Sequence, residues 1–73
     1  MQKQTFVDNM LERGYELKYS RNGNITATKG VSTVRYVPLA DYIVCVSTLT
    51  MTAITREGAT DDETLRMIDW FTA

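Results

Sequence analysis

Residues 15–29 read YELKYSRNGNITATK, and they contain the strongest evidence for a β-sheet in this chain. Apolar and polar residues alternate on both sides of Asn22-Gly23, with the period of two that a half-buried strand requires. Asn-Gly is favoured in tight hairpin turns because both central residues of a primed turn need positive φ. The stretch therefore predicts two antiparallel strands, with Ile25 and Ala27 facing the core.

Two further stretches rich in β-branched residues follow this hairpin. Gly30 interrupts the first as a turn or a bulge, so the inward set there stays open. That set is one of two: Val34 and Tyr36, or Val31, Thr33 and Val37. The second stretch, DYIVCVSTLTMTAIT at 41–55, reads as extended throughout. It is too long to pair fully in a small domain, so either a bulge bends it or its far end projects.

Amphipathic helices are predicted at both ends of the chain. Apolar residues recur at helical spacing between Gln2 and Arg13, and a glycine follows where helices commonly end. Near the other end, Thr60 and Glu63 form a capping-box pattern, which favours a helix start. The apolar stripe that follows is Leu65, Ile68 and Phe71.

The order of these elements predicts an α+β fold in one domain, residues 1–73: a helix, a three- to four-stranded antiparallel meander and a second helix. Two amphipathic helices each need an apolar partner, so we expect both to pack on one face of the sheet. The other face would then carry β-branched residues that tolerate water. The residues expected on this second face are the threonines Thr26, Thr28, Thr48, Thr50 and Thr52.

Composition argues against the commoner kinds of catalysis. The 73 residues include one cysteine and no histidine, so the commonest general base and metal ligand are missing from the sequence. Cys45 lies in the apolar run YIVCV, which indicates a core residue rather than a reactive thiol. The four glycines are isolated and form no phosphate-binding loop. We therefore predict that the protein is not an enzyme and takes no metal or other cofactor.

Charge is distributed unevenly along the chain. Residues 1–40 carry a net charge of +3 and residues 41–73 carry −4, for a total of −1. The acids near the second helix could be a cation site, but the helix cap accounts for three of them and the spacing of a calcium loop is absent. They could also form an electronegative patch that mimics phosphate. The four acids are Glu57, Asp61, Asp62 and Glu63.

The sequence predicts a cytoplasmic protein with no membrane partner. It contains no signal-like segment, and no apolar run approaches the roughly 18 residues that span a bilayer. A single cysteine suits a reducing compartment. A chain this small has a thin stability margin without a disulfide or a metal, so a homodimer is one way to stabilise it.

Our leading hypothesis is a protein-binding module. Its small size and lack of catalytic motifs are typical of phage or mobile-element accessory proteins that inhibit or adapt a host protein. Trp70 is either a lid on the core or an exposed residue of the kind enriched at binding hot spots. The candidate partner-binding residues are Thr48, Thr50, Thr52, Glu57, Asp61, Asp62 and Trp70.

The alternative hypothesis is a weak single-stranded nucleic-acid-binding protein. Basic residues in the first half alternate with tyrosines, and bases can stack on aromatic rings while cations contact phosphates. The net acidity of the chain makes this partner less favoured, because phosphate contacts supply most of such affinity. The candidate residues are Lys18, Arg21, Lys29, Arg35 and Tyr36.

Overall fold

The structure contains two helices and an antiparallel sheet, which confirms the predicted α+β class. The computed structural model describes residues 1–39, 42–47, 53–55 and 58–71. The strands pair in sequence order, each antiparallel to the next. The elements are α1 (Lys3–Glu12), β1 (Glu16–Tyr19), β2 (Ile25–Lys29), β3 (Ser32–Val37), β4 (Tyr42–Ser47), β5 (Ala53–Ile54) and α2 (Asp61–Phe71).

The hairpin between β1 and β2 has a longer turn than Asn22-Gly23 predicts. The Ser20 amide donates to the Asn24 carbonyl at 2.9 Å, so residues 21–23 form a three-residue loop. The Gly23 amide donates to the Ser20 carbonyl at 3.2 Å, and Gly23 has a φ of +88°. This is the pattern of a type I turn followed by a left-handed residue, so the expected two-residue primed turn is wrong here.

The tight hairpin lies instead between β2 and β3. Lys29 pairs with Ser32, which leaves Gly30 and Val31 as a two-residue loop. Gly30 has a φ of +60°, and a primed turn that begins with glycine needs positive φ at that first central position. This turn fixes the register of β3, which the sequence pattern left open.

Val34 and Tyr36 are the inward residues of β3. Both are at least 96% buried, whereas Val31 is 51% exposed. Tyr36 pairs with Ile25 on one side and Ile43 on the other, and cross-strand partners share a face of the sheet. Among the described residues, the buried apolar side chains come from this face, from both helices and from Tyr15, which directly precedes β1. They are Phe6, Met10, Tyr15, Ile25, Ala27, Val34, Tyr36, Ile43 and Ile68.

The segment 41–55, which the sequence predicts to be extended throughout, contains two separate strands, β4 and β5. Strands β4 and β5 pair with each other, with Val44 opposite Ile54 and Cys45 opposite Ala53. The two ends of the segment therefore lie side by side. The neighbouring strand β3 has six residues, too few to pair with a strand of fifteen, and β5 pairs with β4 instead.

The helix ends follow the predicted chemistry. Helix α1 is one residue shorter at each end than the predicted range of Gln2 to Arg13. At α2 the Glu63 amide donates to Thr60 Oγ1 at 3.1 Å, and the Thr60 amide donates to Glu63 Oε1 at 3.2 Å. The capping box is therefore confirmed, and it fixes where α2 begins.

Candidate protein-binding site

Helix α2 carries the partner-binding candidates that the structure describes, which are Asp61, Asp62 and Trp70. The remaining candidates, Thr48, Thr50, Thr52 and Glu57, lie outside the described residues. The predicted threonine row therefore stays a prediction. The described site is built on one helix, whose backbone geometry fixes which of its residues lie together.

Trp70 is 81% exposed, so the interpretation as a lid on the core is wrong. The inward side of α2 is set by Thr64 and Ile68, which are 4% and 0% exposed. Trp70 follows Ile68 by two residues, and two residues of an α-helix turn the side chain through about 200°. Trp70 therefore points away from the core that Ile68 enters.

Asp62, Arg66 and Trp70 form a row along α2, because they are spaced by four residues and all three are exposed. We call this row, together with its neighbour Glu63, the outer face of α2. Two acids, one base and a large aromatic ring thus share a surface that projects from the helix. An exposed tryptophan bordered by charged residues is the composition of a protein-interface hot spot with a polar rim.

Asp61 lies apart from this outer face. Its Oδ1 atom is 3.7 Å from the amino group of Met1, so the carboxylate forms an ion pair within the chain. The hydroxyl of buried Thr64, one turn later, donates to the Thr60 carbonyl at 2.9 Å. Asp61 therefore faces the start of the chain, and of the two candidate aspartates only Asp62 lies on the outer face.

Arg13 and Asp69 join the ends of the two helices. Arg13 Nε donates to Asp69 Oδ1 at 2.6 Å, and Arg13 Nη2 donates to Asp69 Oδ2 at 3.0 Å. The hydrogen bond from Arg13, with its positive charge, lowers the pKa of Asp69 below its ordinary value, although partial burial opposes this shift. The same hydrogen bond raises the pKa of Arg13.

The sequence alone does not predict the ion pair between Arg13 and Asp69. Fifty-six positions separate its two residues, and neither helix pattern indicates which residues of the other helix it will contact. The sequence offers one clue, which is the isolated position of Asp69: the other acids of α2 are in its first turn, whereas Asp69 is near its end. That clue gives no partner.

The nucleic-acid candidates do not form one surface. Lys18, Thr26 and Arg35 pair across β1, β2 and β3, and they lie on the face opposite the buried residues. Lys29 lies on the other face, where its Nζ donates to the Arg13 carbonyl at 2.8 Å. Arg21 is exposed in the loop between β1 and β2.

Tyr36 does not supply the stacking platform that the alternative needs. It is 4% exposed, and its ring stacks on Phe6 with a centroid distance of 5.1 Å. Its hydroxyl donates to the Met1 carbonyl at 2.8 Å. A nucleobase cannot reach this ring without displacing α1.

The described residues offer no metal site and no membrane-spanning helix. Within those ranges, no three side chains of histidine, cysteine, aspartate or glutamate come together in a way that could hold a metal ion. Neither described helix has the length and apolar character needed to cross a bilayer.

Comparison with known proteins identified no relative of this chain. No protein-family model, curated protein or solved structure matches the chain.

Proposed function

We propose that the protein is a small non-enzymatic binding module that docks the outer face of α2 onto a basic surface of another protein. One observation carries the proposal: the single tryptophan of the chain is 81% exposed at the end of a charged row on α2. Burying so large an apolar ring against a partner would remove it from water, which is the dominant favourable term in association.

Both helices pack on the same face of the sheet in this proposal. Phe6 and Met10 of α1 and Ile68 of α2 belong to one buried cluster with the inward residues of β2 and β3. The Arg13–Asp69 ion pair joins the two helices directly. In this arrangement the outer face of α2 is the side turned furthest from the sheet, where a partner has access to it.

The charge of α2 favours a basic partner. Asp61 is paired with the Met1 amino group and Asp69 with Arg13. The outer face therefore has Asp62 and Glu63 against the single base Arg66, which leaves it with one net negative charge. Complementary charge increases the association rate and excludes partners of the wrong sign, while the buried aromatic residue supplies affinity. A basic protein surface, such as one that a nucleic acid normally occupies, fits these requirements.

Inhibition or adaptation of a host protein is the role we propose for this contact. A module without catalytic groups acts by occupying a surface, and occupation of a basic groove would exclude its usual anionic ligand. We also propose a cytoplasmic location, because the lone cysteine of the sequence has no second cysteine to pair with.

The test is affinity capture from a bacterial lysate, with and without nuclease, using wild type and two variants. Trp70→Ala removes the aromatic anchor, and Asp62→Lys reverses a charge on the same face. We expect wild type to retain a discrete basic protein after nuclease treatment, and we expect both variants to lose it. Purified components should then show at least about tenfold weaker binding for Trp70→Ala.

Matched controls separate this surface from general effects. Tyr19→Ala removes another exposed aromatic side chain, which is 60% exposed on β1. Asp8→Lys makes the same charge change on the exposed side of α1. Both controls should capture the partner as wild type does. Equal loss in the controls, or full retention by Trp70→Ala, would exclude the outer face of α2 as the binding site.

The nuclease arm also tests the alternative function. Lys18 and Arg35 flank Thr26 in one cross-strand row, and this cationic row could contact phosphates. Recovery that disappears with nuclease and depends on Arg35 would support single-stranded nucleic-acid binding. The burial of Tyr36 leads us to favour the protein partner.

A further inference from the structure

The link between Arg13 and Asp69 is the best-organised polar contact between the two described helices. Its two hydrogen bonds are parallel and fork-like, a geometry that holds a carboxylate in one orientation. Arg13 Nη1 also donates to Asn9 Oδ1 at 3.0 Å, and Lys29 Nζ donates to the Arg13 carbonyl. Arg13 is thus also held by contacts with α1 and β2.

The contact falls where α2 most needs support. Carbonyl groups in the last turn of a helix lack partners within the helix, and terminal turns fray. The described last turn of α2 contains no basic residue, so α2 itself supplies no positive charge to interact with the negative end of its dipole. Asp69 is in this turn, and Trp70 is the next residue.

We propose that Arg13 and Asp69 are positioning residues, which hold the last turn of α2 against α1 and thereby present Trp70 to a protein partner in one orientation. This inference rests on the proposed function for its biological meaning. Its physical core is independent of any partner, because it concerns the motion of Trp70 in the free protein.

Preorganisation is the benefit of such a device. A partner that binds a fraying helix end must order it, and immobilising one side chain costs about 0.5–1.5 kcal/mol. By the relation of 1.4 kcal/mol to a factor of ten, loss of the link should weaken binding by about two- to tenfold. This loss is smaller than that expected from removal of Trp70 itself.

The experiment uses the fluorescence of Trp70, which is the only tryptophan in the sequence. Time-resolved anisotropy reports the motion of its ring, and hydrogen exchange reports the amides of the last turn. We expect faster ring motion and faster exchange in Arg13→Gln and in Asp69→Asn, while amides in β2 and β3 exchange as in wild type. Asp8→Asn, which removes an exposed carboxylate on α1, should leave both readouts unchanged.

A reversed pair distinguishes positioning from mere structural damage. Arg13→Asp combined with Asp69→Arg should restore slow ring motion, whereas each single reversal should not. If Arg13→Gln fails to fold, Asp69→Asn alone decides, because its change lies on the solvent side of the contact. Unchanged anisotropy and exchange in the folded variants would overturn the inference.

The same samples separate this inference from the proposed function. Faster motion in the link variants, with no partner captured by wild type, would support the positioning role and reject the binding role. Partner capture by wild type with unchanged motion in the variants would do the opposite. Faster motion together with a two- to tenfold loss of binding would support both.

Discussion

Among the described residues, Tyr15 carries the one buried side-chain polar atom that has no hydrogen-bond partner. Its side chain is 4% exposed, and its hydroxyl is buried without a hydrogen-bond partner in the described part of the chain. The Nζ atom of Lys29 lies 5.6 Å from the centre of the ring, and this contact needs only the ring. The hydroxyl therefore costs free energy that the ring does not recover through a hydrogen bond.

We expect Tyr15→Phe to leave the free energy of unfolding unchanged or to raise it by up to about 1 kcal/mol, because it removes an unsatisfied buried group. Tyr36→Phe is the matched control, since Tyr36 is equally buried but donates to the Met1 carbonyl at 2.8 Å. That change should lower the free energy of unfolding by about 1 kcal/mol. Urea denaturation measures both, and equal losses would show that the Tyr15 hydroxyl is bonded in solution.

The stability of helix α2 depends on the capping box formed by Thr60 and Glu63. We expect Thr60→Ala to lower the free energy of unfolding by about 1 kcal/mol, because the Glu63 amide loses its acceptor. Thr60→Ser keeps the hydroxyl and should lose much less. Thermal unfolding followed by circular dichroism compares the two. A similar loss in both variants would mean that the methyl group of threonine, and not its hydroxyl, matters at this position.

The turn between β2 and β3 gives a second prediction for an element. Gly30 has a φ of +60°, where a side chain is strained, yet an added Cβ would meet no atom within 4 Å. Gly30→Ala should therefore cost about 1–2 kcal/mol from backbone strain alone. Gly30→Asn should cost less, since asparagine tolerates positive φ. Chemical denaturation tests the order, and equal stability of all three proteins would contradict the turn geometry.

Local chemistry explains which elements the sequence predicted well. The Thr60 and Glu63 cap and the inward Ile25 and Ala27 depend on neighbours within a few residues, and they were predicted correctly. The position of the tight hairpin was predicted wrongly. Asn22-Gly23 also fits a three-residue loop, in which only the glycine takes the left-handed conformation. The parity of β3 then followed from the Gly30 turn.

Long-range contacts explain what the sequence could not supply. Nothing near Tyr36 in the chain distinguishes a stacking platform from a core residue, and its packing on Phe6 depends on where α1 lands. The same holds for Arg13 and Asp69, because all the strands of the sheet lie between them in the sequence. Sequence patterns assign faces to elements, but the pairing of faces is a property of the assembled molecule.

Stability at low pH should report the Arg13–Asp69 link in the whole molecule. The link lowers the pKa of Asp69 below its ordinary value of 3.8, so the folded state binds fewer protons than the unfolded state between the two pKa values. Stability therefore rises with pH across that window. The contribution is fully present above the ordinary pKa and is lost as the pH falls through the lowered one. Arg13 stays protonated throughout, because the hydrogen bond to Asp69 raises its pKa further above an ordinary value that is already high.

We expect wild type to exceed Asp69→Asn in free energy of unfolding by up to about 1 kcal/mol at pH 7, since the carboxylate is 55% exposed and solvent screens the pair. Below about pH 4 the difference should shrink toward zero as Asp69 becomes protonated. Urea titrations from pH 7 to pH 2 measure it, and Asp8→Asn corrects for the loss of one negative charge. A difference that persists undiminished at pH 2 would mean that the amide disturbs α2 by a route other than the lost charge, and the ion pair would not be what holds the two helices together.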